Sequence, residues 1–363
     1  MGQLKNTFSG SFSAAEDFEA CRRRRYWSKY GMWGGWGRNA SPEQKTAYRL
    51  CKMDNRWGLM GQAAENAIMW VLKQHQQGNP VDADAAWKTI ARPFMTKKWN
   101  ESGEGNWRNS PKQYCCLRGH YYKTLGGEEE KEAKRQLAAQ IQNCISNFID
   151  KVLPRVGTIQ PNQEFQIATP ETGGDVEHFI YEGVKIYSIP DYAYKIGDEV
   201  HIHDWKAGKI KAEQHKLQLS LYALWAIVKH GATLDKIFLY VEYLNEGQVL
   251  PFQISAEELE ETKALMSKSV GEMSEYLVGC DREKNEPLPK TEWELTLDPV
   301  NCRQCNFYEL CKPELDAQQA LDLAQANGLE LRSVRRAGHP PKPPNDIVWM
   351  PSYAQHLTHP VVT

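Results

Sequence analysis

The first strong periodicity along the chain begins at Gly61. There GQAAENAIMWVLKQHQQG sets Ala64, Ile68, Val71 and Leu72 on one face and Gly78 ends the run, the pattern of an amphipathic helix. Residues 82–99 predict a second helix, and residues 100–127 read as loop. In 128–152, EEEKEAKRQLAAQIQNCISNFIDKV, the residues Leu137, Ile141, Ile145, Phe148 and Val152 fall at helical spacing, with Pro154 marking the end. Upstream, residues 1–60 are polar, aromatic and Gly-rich, with a loop expected over 30–44 that carries Trp33 and Trp36.

After about residue 160 the period changes from helical to alternating. EFQIAT, FIYEGVKIYSIPDYAYKI and EVHIHDW predict a strand meander, followed by a helix over 213–230 that Gly231 closes. Two further strands, KIFLYVEYL and QVLPFQI, flank the turn NEGQ. Ser255 with Glu258 forms a capping-box start for a helix running to about 278. Strands, helix, strands, helix predict an α/β fold with a mixed central sheet flanked by helices. The tail holds a short helical candidate, PELDAQQALDLAQANG, and then a basic, Pro-rich run with the composition of a mobile segment. The chain divides on this reading into an N-terminal segment (1–60), a helical region (61–160), a core with a cysteine cluster (161–312) and a tail (313–363).

At 363 residues the chain can build one large domain with insertions or two ordinary ones. Its 44 basic residues nearly balance 46 acidic ones, so any nucleic-acid contact must come from local patches. No stretch approaches the roughly 18 apolar residues of a spanning helix, and the N-terminus lacks an apolar leader. The expectation is a soluble, cytoplasmic protein without a membrane partner. Met-Gly at the start is followed by Asn6 where myristoylation wants Ser or Thr. Nine cysteines in such a chain point to reduced thiols or a metal site before a disulfide framework.

The sharpest chemistry lies in IPDYAYKIGDEVHIHDWKAGK, 189–209. If Gly197-Asp198 is a two-residue type II' hairpin loop, Ile196 faces Glu199, Lys195 faces Val200, Tyr194 faces His201, and Asp191 faces Asp204. Directly paired side chains lie about 5 Å apart, and like charges there destabilise unless something positive sits between them. Lys206, two residues beyond Asp204, projects from the same face. Oxygen-only ligation suits Mg2+ or Mn2+, which can activate water and offset phosphoryl charge while a lysine stabilises the transition state. A hairpin merely decorated with surface charge remains open on the triplet alone.

Pro190-Asp191 followed by Asp204-Trp205-Lys206 resembles the PD-(D/E)xK nuclease superfamily, and specifically its RecB-like branch. That branch carries Q-x3-Y on the helix after the catalytic strand, matched here by Gln218 and Tyr222 in QLSLY. Its upstream helix motif is usually G-x3-H; here GQAAE supplies Gly61 with Glu65 in place of the histidine. The resemblance implies a restriction-endonuclease-like core with a helical N-terminal insertion. It also implies a Mg2+ or Mn2+ ion held by Asp191, Asp204 and Glu65, with Lys206, Gln218 and Tyr222 completing the catalytic set. His120 in CCLRGHYY is an alternative contributor.

CRQCNFYELC supplies Cys302, Cys305 and Cys311, three close thiols that need a fourth ligand for a tetrahedral site. Spacing alone favours zinc, with an iron-sulfur cluster and unligated cysteines as the alternatives. Some RecB-like nucleases, among them recombinational-repair and CRISPR-adaptation enzymes, join three C-terminal cysteines to one near the N-terminus around a 4Fe-4S cluster. The resemblance places Cys21 in that role, clasping both ends of the domain. Cys51, Cys115, Cys116, Cys144 and Cys280 read as structural or free.

Arg22, Arg23, Arg24 and Arg25 with Tyr26 and Trp27 form a basic, aromatic patch that suits single-stranded or frayed DNA, or else one that packs around the cysteines. The expected activity is metal-dependent DNA cleavage, exonucleolytic or structure-selective, in repair, recombination, CRISPR adaptation or phage biology. A DNA-binding or assembly module with a vestigial site is the alternative. No G-x4-G-K-[ST] motif is present, so unwinding would need a helicase or another repair or adaptation partner.

Overall fold

A computed structural model describes residues 5–169 and 175–326. The chain divides into the units Met1–Leu315 and Asp316–Thr363. In the second unit only 316–326, within the helix Tyr308–Ala326, is described, and the expected Pro-rich mobile tail lies outside the described residues. Among the described residues the strands are β1 Ser9–Ser11, β2 Met53–Asp54, β3 Cys116–Leu117, β4 His178–Tyr181, β5 Val184–Tyr187, β6 Tyr192–Ile196, β7 Glu199–Lys206, β8 Ile237–Tyr243 and β9 Gln248–Phe252. No described helix is long and apolar enough to cross a membrane.

The expected mixed α/β architecture is present. A four-stranded sheet runs β6-β7-β8-β9, with β7 and β8 parallel and the outer pairs antiparallel. The parallel pair requires a crossover, which the helix Ala212–His230 supplies. Gly231 closes that helix with a left-handed φ of 66°. Ala193, Val200, Ile202, Leu239 and Val241 pack towards it, in one core with Leu219, Tyr222 and Trp225. On the opposite face Tyr192, Tyr194 and Trp205 join the core of the helices Arg56–Gln76 and Gly127–Asn147. The central strands are therefore covered on both faces, and Pro251, which cannot donate to a ladder, sits on the edge strand β9. Ser255 and Glu258 make both capping-box hydrogen bonds at the start of the helix Ala256–Glu275.

The hairpin register is the one counted from Gly197-Asp198: Ile196 pairs with Glu199, Lys195 with Val200 and Tyr194 with His201. Gly197 takes φ 58° and Asp198 no positive φ, as a type II' turn requires.

Several local expectations need correction. EFQIAT forms no strand; it makes a single bridge, Glu164 to Tyr194, with Phe165 N–H donating to Ala193 at 2.9 Å. The meander is split between sheets: β5 pairs with β1 and β4, and the chain passes Pro190 before β6 opens the second sheet. Pro154 does not end the helical path, because it lies in the first turn of the helix Leu153–Val156, where a missing N–H is harmless. Residues 100–127 hold the end of the helix Arg92–Glu104, β3 and the short helix Arg118–Tyr121. The Gly-rich loop gives way at Pro42 to the helix Pro42–Cys51, capped by Ser41 and Gln44. The last described helix begins at Tyr308 and contains Pro313.

A Cβ added at Gly197 would meet nothing within 4 Å, so its cost is conformational alone. Gly197→Ala is expected to lower stability by about 1 kcal/mol in urea unfolding, with an unchanged denaturant slope.

Candidate active site

The register that pairs Tyr192 with His203 sets Asp191 against Asp204 one step further out. Asp204 is buried, with 2 % of its surface exposed, and Asp191 is half-buried. One Asp191 oxygen accepts the Trp205 N–H at 2.6 Å, which ties the two strand ends together. Lys206 Nζ lies 2.6 Å from Asp204 Oδ2, so the ammonium holds this buried oxygen. Lys206 also donates to Gln218 Oε1 at 3.0 Å, and Gln218 Nε2 donates to the Tyr222 hydroxyl at 2.8 Å. That hydroxyl lies 3.1 Å from the Ile189 carbonyl and 3.4 Å from Asp204 Oδ1. Gln218 and Tyr222, one helical turn apart, thus hold the lysine and the aspartate from the helix side.

Burial and then the Asp204 charge push the Asp191 carboxyl well above its ordinary range; Glu65 adds to this, while Lys206 and the Trp205 N–H oppose it. Burial works against the Lys206 charge, but Asp204 and Asp191 outweigh it and raise its pKa. Burial, followed by Asp204 and Asp191, keeps the Tyr222 phenol protonated.

Glu65 is exposed on the helix Arg56–Gln76, which Asn55 caps through the N–H groups of Trp57 and Gly58. It lines one pocket with Gly61, Ala64, Asp191 and Trp205. His120 is not among the residues that line this pocket; its Nδ1 lies 2.7 Å from Ser102 Oγ and its Nε2 3.6 Å from Glu130. Among the described residues no three Asp, Glu, His or Cys side chains already converge at metal-ligand distance. The donor chemistry nevertheless fits a hard divalent cation, with two opposed carboxylates and a third, Glu65, in one pocket with Asp191.

Cys21, Cys302, Cys305 and Cys311 line a single pocket together with Arg24 and Tyr308. Burial raises the thiol pKa of Cys302 and Cys305, and that of Cys311 to about 12. Thiols in such surroundings give up their protons only to a strong positive centre, which a metal or a cluster is. All nine cysteines are free of disulfides; Cys116 and Cys144 are buried, and Cys280 is exposed.

The basic patch needs correction at two positions. Arg23 is buried, donating to the Trp293 carbonyl at 2.8 Å and to both Glu314 carboxylate oxygens. Trp27 is 1 % exposed in the core around the cysteines. Neither can meet a nucleic acid. Arg22 lies over the Phe18 ring, Arg24 pairs with Asp17 at 2.7 Å, and Arg25 donates to Ser9 O at 3.3 Å. The motif reading passed over His215 and Tyr243, which pair at 2.7 Å beside the site. The available signal was helical spacing, since His215 precedes Gln218 by three residues.

Fold and site together define an α/β protein whose central strand carries a carboxylate and a lysine, with a second carboxylate opposed from the head of the neighbouring strand and a helix that orients them. A family model of the PD-(D/E)XK nuclease superfamily matches residues 71–312, and the chain belongs to that superfamily. No curated protein matches it. The matched span contains Asp191, Asp204, Lys206, Gln218, Tyr222 and the three C-terminal cysteines, and leaves Glu65 and Cys21 outside.

The raised pKa of Asp191 has a consequence for stability. Its neutral form favours the fold, so its contribution is complete below its unfolded pKa of about 4 and is lost as pH rises through the raised folded value. Asp191→Asn is therefore expected to stabilise the metal-free protein at pH 7 by about 1 kcal/mol, with the gain shrinking towards pH 4. Melting curves in a chelator across that range test this, and a gain that does not depend on pH contradicts it.

Proposed function

We propose that the chain is a Mg2+- or Mn2+-dependent deoxyribonuclease of the RecB-like type. The observation that carries this reading is the buried Asp204, opposed by Asp191 and paired at 2.6 Å with a lysine that Gln218 holds in place. Asp191, Asp204 and Glu65 would hold the metal, which supplies Lewis-acid stabilisation of phosphoryl charge and an activated water. Lys206 offers its ammonium to the attacking water and to the developing negative charge. Gln218 fixes the direction of that ammonium, and Tyr222 keeps Asp204 in register by bridging it to the Ile189 carbonyl. The Q-x3-Y pair on one helical face and the four cysteines around one pocket support the RecB-like assignment.

Those four cysteines would hold a structural 4Fe-4S cluster in place of zinc. The four cysteines line one pocket, and their conjunction with the nuclease motifs favours the cluster. The substrate is DNA with single-stranded or frayed ends, and cleavage is exonucleolytic or structure-selective. A helicase or another repair or adaptation protein would supply unwinding.

Purified protein with Mn2+ and end-labelled single- and double-stranded DNA is expected to cleave, while Asp204→Ala and Lys206→Ala fall by at least about 10²-fold. Mutants indistinguishable from wild type on every substrate would leave only a binding module. Anaerobically purified protein is expected to contain iron, with broad absorbance near roughly 400 nm that Cys302→Ser abolishes and Asp204→Ala retains. An iron-free, zinc-loaded sample refutes the cluster.

A further inference from the structure

The helix Ala212–His230 turns three polar side chains, His215, Gln218 and Tyr222, towards the site at spacings of three and four residues, so they share one face. Gln218 and Tyr222 are occupied by Lys206, Ile189 and Asp204. His215 stands one turn nearer the helix start. Its Nδ1 lies 2.7 Å from the hydroxyl of Tyr243, the residue that pairs with Lys206 across β7 and β8.

That contact admits either tautomer, and the surroundings of the hydroxyl bear on which is used. The Lys211 backbone amide, which can only donate, also lies against the Tyr243 oxygen. The hydroxyl proton is then best used towards His215 Nδ1, leaving the imidazole hydrogen on Nε2. Nε2 has no protein partner among the described residues, and the ring is half-buried within reach of the Lys206 and Asp204 charges. Burial, followed by Lys206, lowers the His215 pKa below its usual value, so the ring is a neutral donor near pH 7.

We propose that His215 donates its Nε2 hydrogen to a non-bridging oxygen of the phosphate on which the site acts, with Tyr243 as the positioning residue that holds the ring. This rests on the nuclease reading and adds a substrate contact to it. Lys206 presents a charge to the phosphate and His215 a directed neutral hydrogen bond from one turn earlier on the helix whose Gln218 holds that lysine. Together they define an orientation that one flexible ammonium cannot.

The variants separate this role from packing. A glutamine amide nitrogen reaches the position of Nε2, and an asparagine amide nitrogen only that of Nδ1. In Mn2+-dependent cleavage of a labelled single-stranded oligonucleotide, His215→Ala and His215→Asn are expected to lower kcat/KM by roughly 10²-fold, and His215→Gln to recover roughly tenfold of that loss. Tyr243→Phe is expected to lie between, with a shifted pH profile because the tautomer is released. Mn2+ affinity, measured directly by calorimetry, stays at the wild-type value in every His215 variant, since the histidine is not a ligand. Wild-type cleavage by His215→Ala beside an inert Asp204→Ala overturns this assignment alone, as does a glutamine variant no better than alanine. A wild-type protein without Mn2+-dependent cleavage overturns the nuclease reading, and this assignment with it.

Discussion

Two carboxylates facing each other across neighbouring strands are the constraint on which the rest of this structure depends. Two like charges about 5 Å apart repel by about 3 kcal/mol at the effective dielectric of a protein surface, more than a turn or a helix cap contributes. The fold tolerates this because Asp191 shifts towards its neutral form and Lys206 lies on Asp204. It also buries the strands beneath them on both faces. A cation placed between the carboxylates would relieve the repulsion that the apolar cores otherwise have to offset. Affinity for such a cation and the repulsion within the pair would then be two readings of one interaction.

The opposition survives only if the hairpin cannot slip, because a one-residue shift would send Asp204 to the other face. That other face supplies the lock. His203 Nδ1 lies 2.7 Å from Glu242, both side chains buried, and Arg155 reaches the same Glu242 oxygen at 3.2 Å from the helical region. Tyr194, His201 and Phe238 stack beside them, with ring centroids 4.8 and 4.9 Å apart in successive pairs. Slipping β7 would strand a buried glutamate without its partners, a penalty of several kcal/mol. The register of the acidic face is therefore enforced by polar contacts on its reverse.

This division explains what the sequence could disclose. The hairpin count was legible because Gly197 can take a positive φ at no steric cost, and two residues then fix every pair outward to Asp191 and Asp204. Gln218 and Tyr222 were legible because helical spacing places them together. The split of the meander was not, since alternation in FIYEGVKIY shows which face is buried and not which strand lies alongside. EFQIAT has strand-like composition, yet only one bridge to Tyr194 is made. The fate of Arg23 was hidden for a similar reason: its partners Trp293 and Glu314 lie far along the chain, and a run of arginines looks alike in solvent and in a core.

Those arginine contacts also bear on how the cysteine pocket is held. Arg23 binds Glu294 through its backbone N–H at 3.0 Å, and Trp293 and Glu314 through its side chain, while Trp27 and Trp293 are both buried. Hydrogen bonds and aromatic packing therefore already join the segment of Cys21 to the segment of Cys302, Cys305 and Cys311. Closing so long a loop costs conformational entropy that grows only slowly with its length, and these contacts meet that cost before any thiolate is ligated. A cluster bound there would add ligation to a clasp that the polypeptide has shaped, and the raised thiol pKa values make the site strongly dependent on the positive charge it receives. The two candidate centres share one logic: each gathers groups that repel or resist ionisation, and each relies on packed neighbours to keep them together.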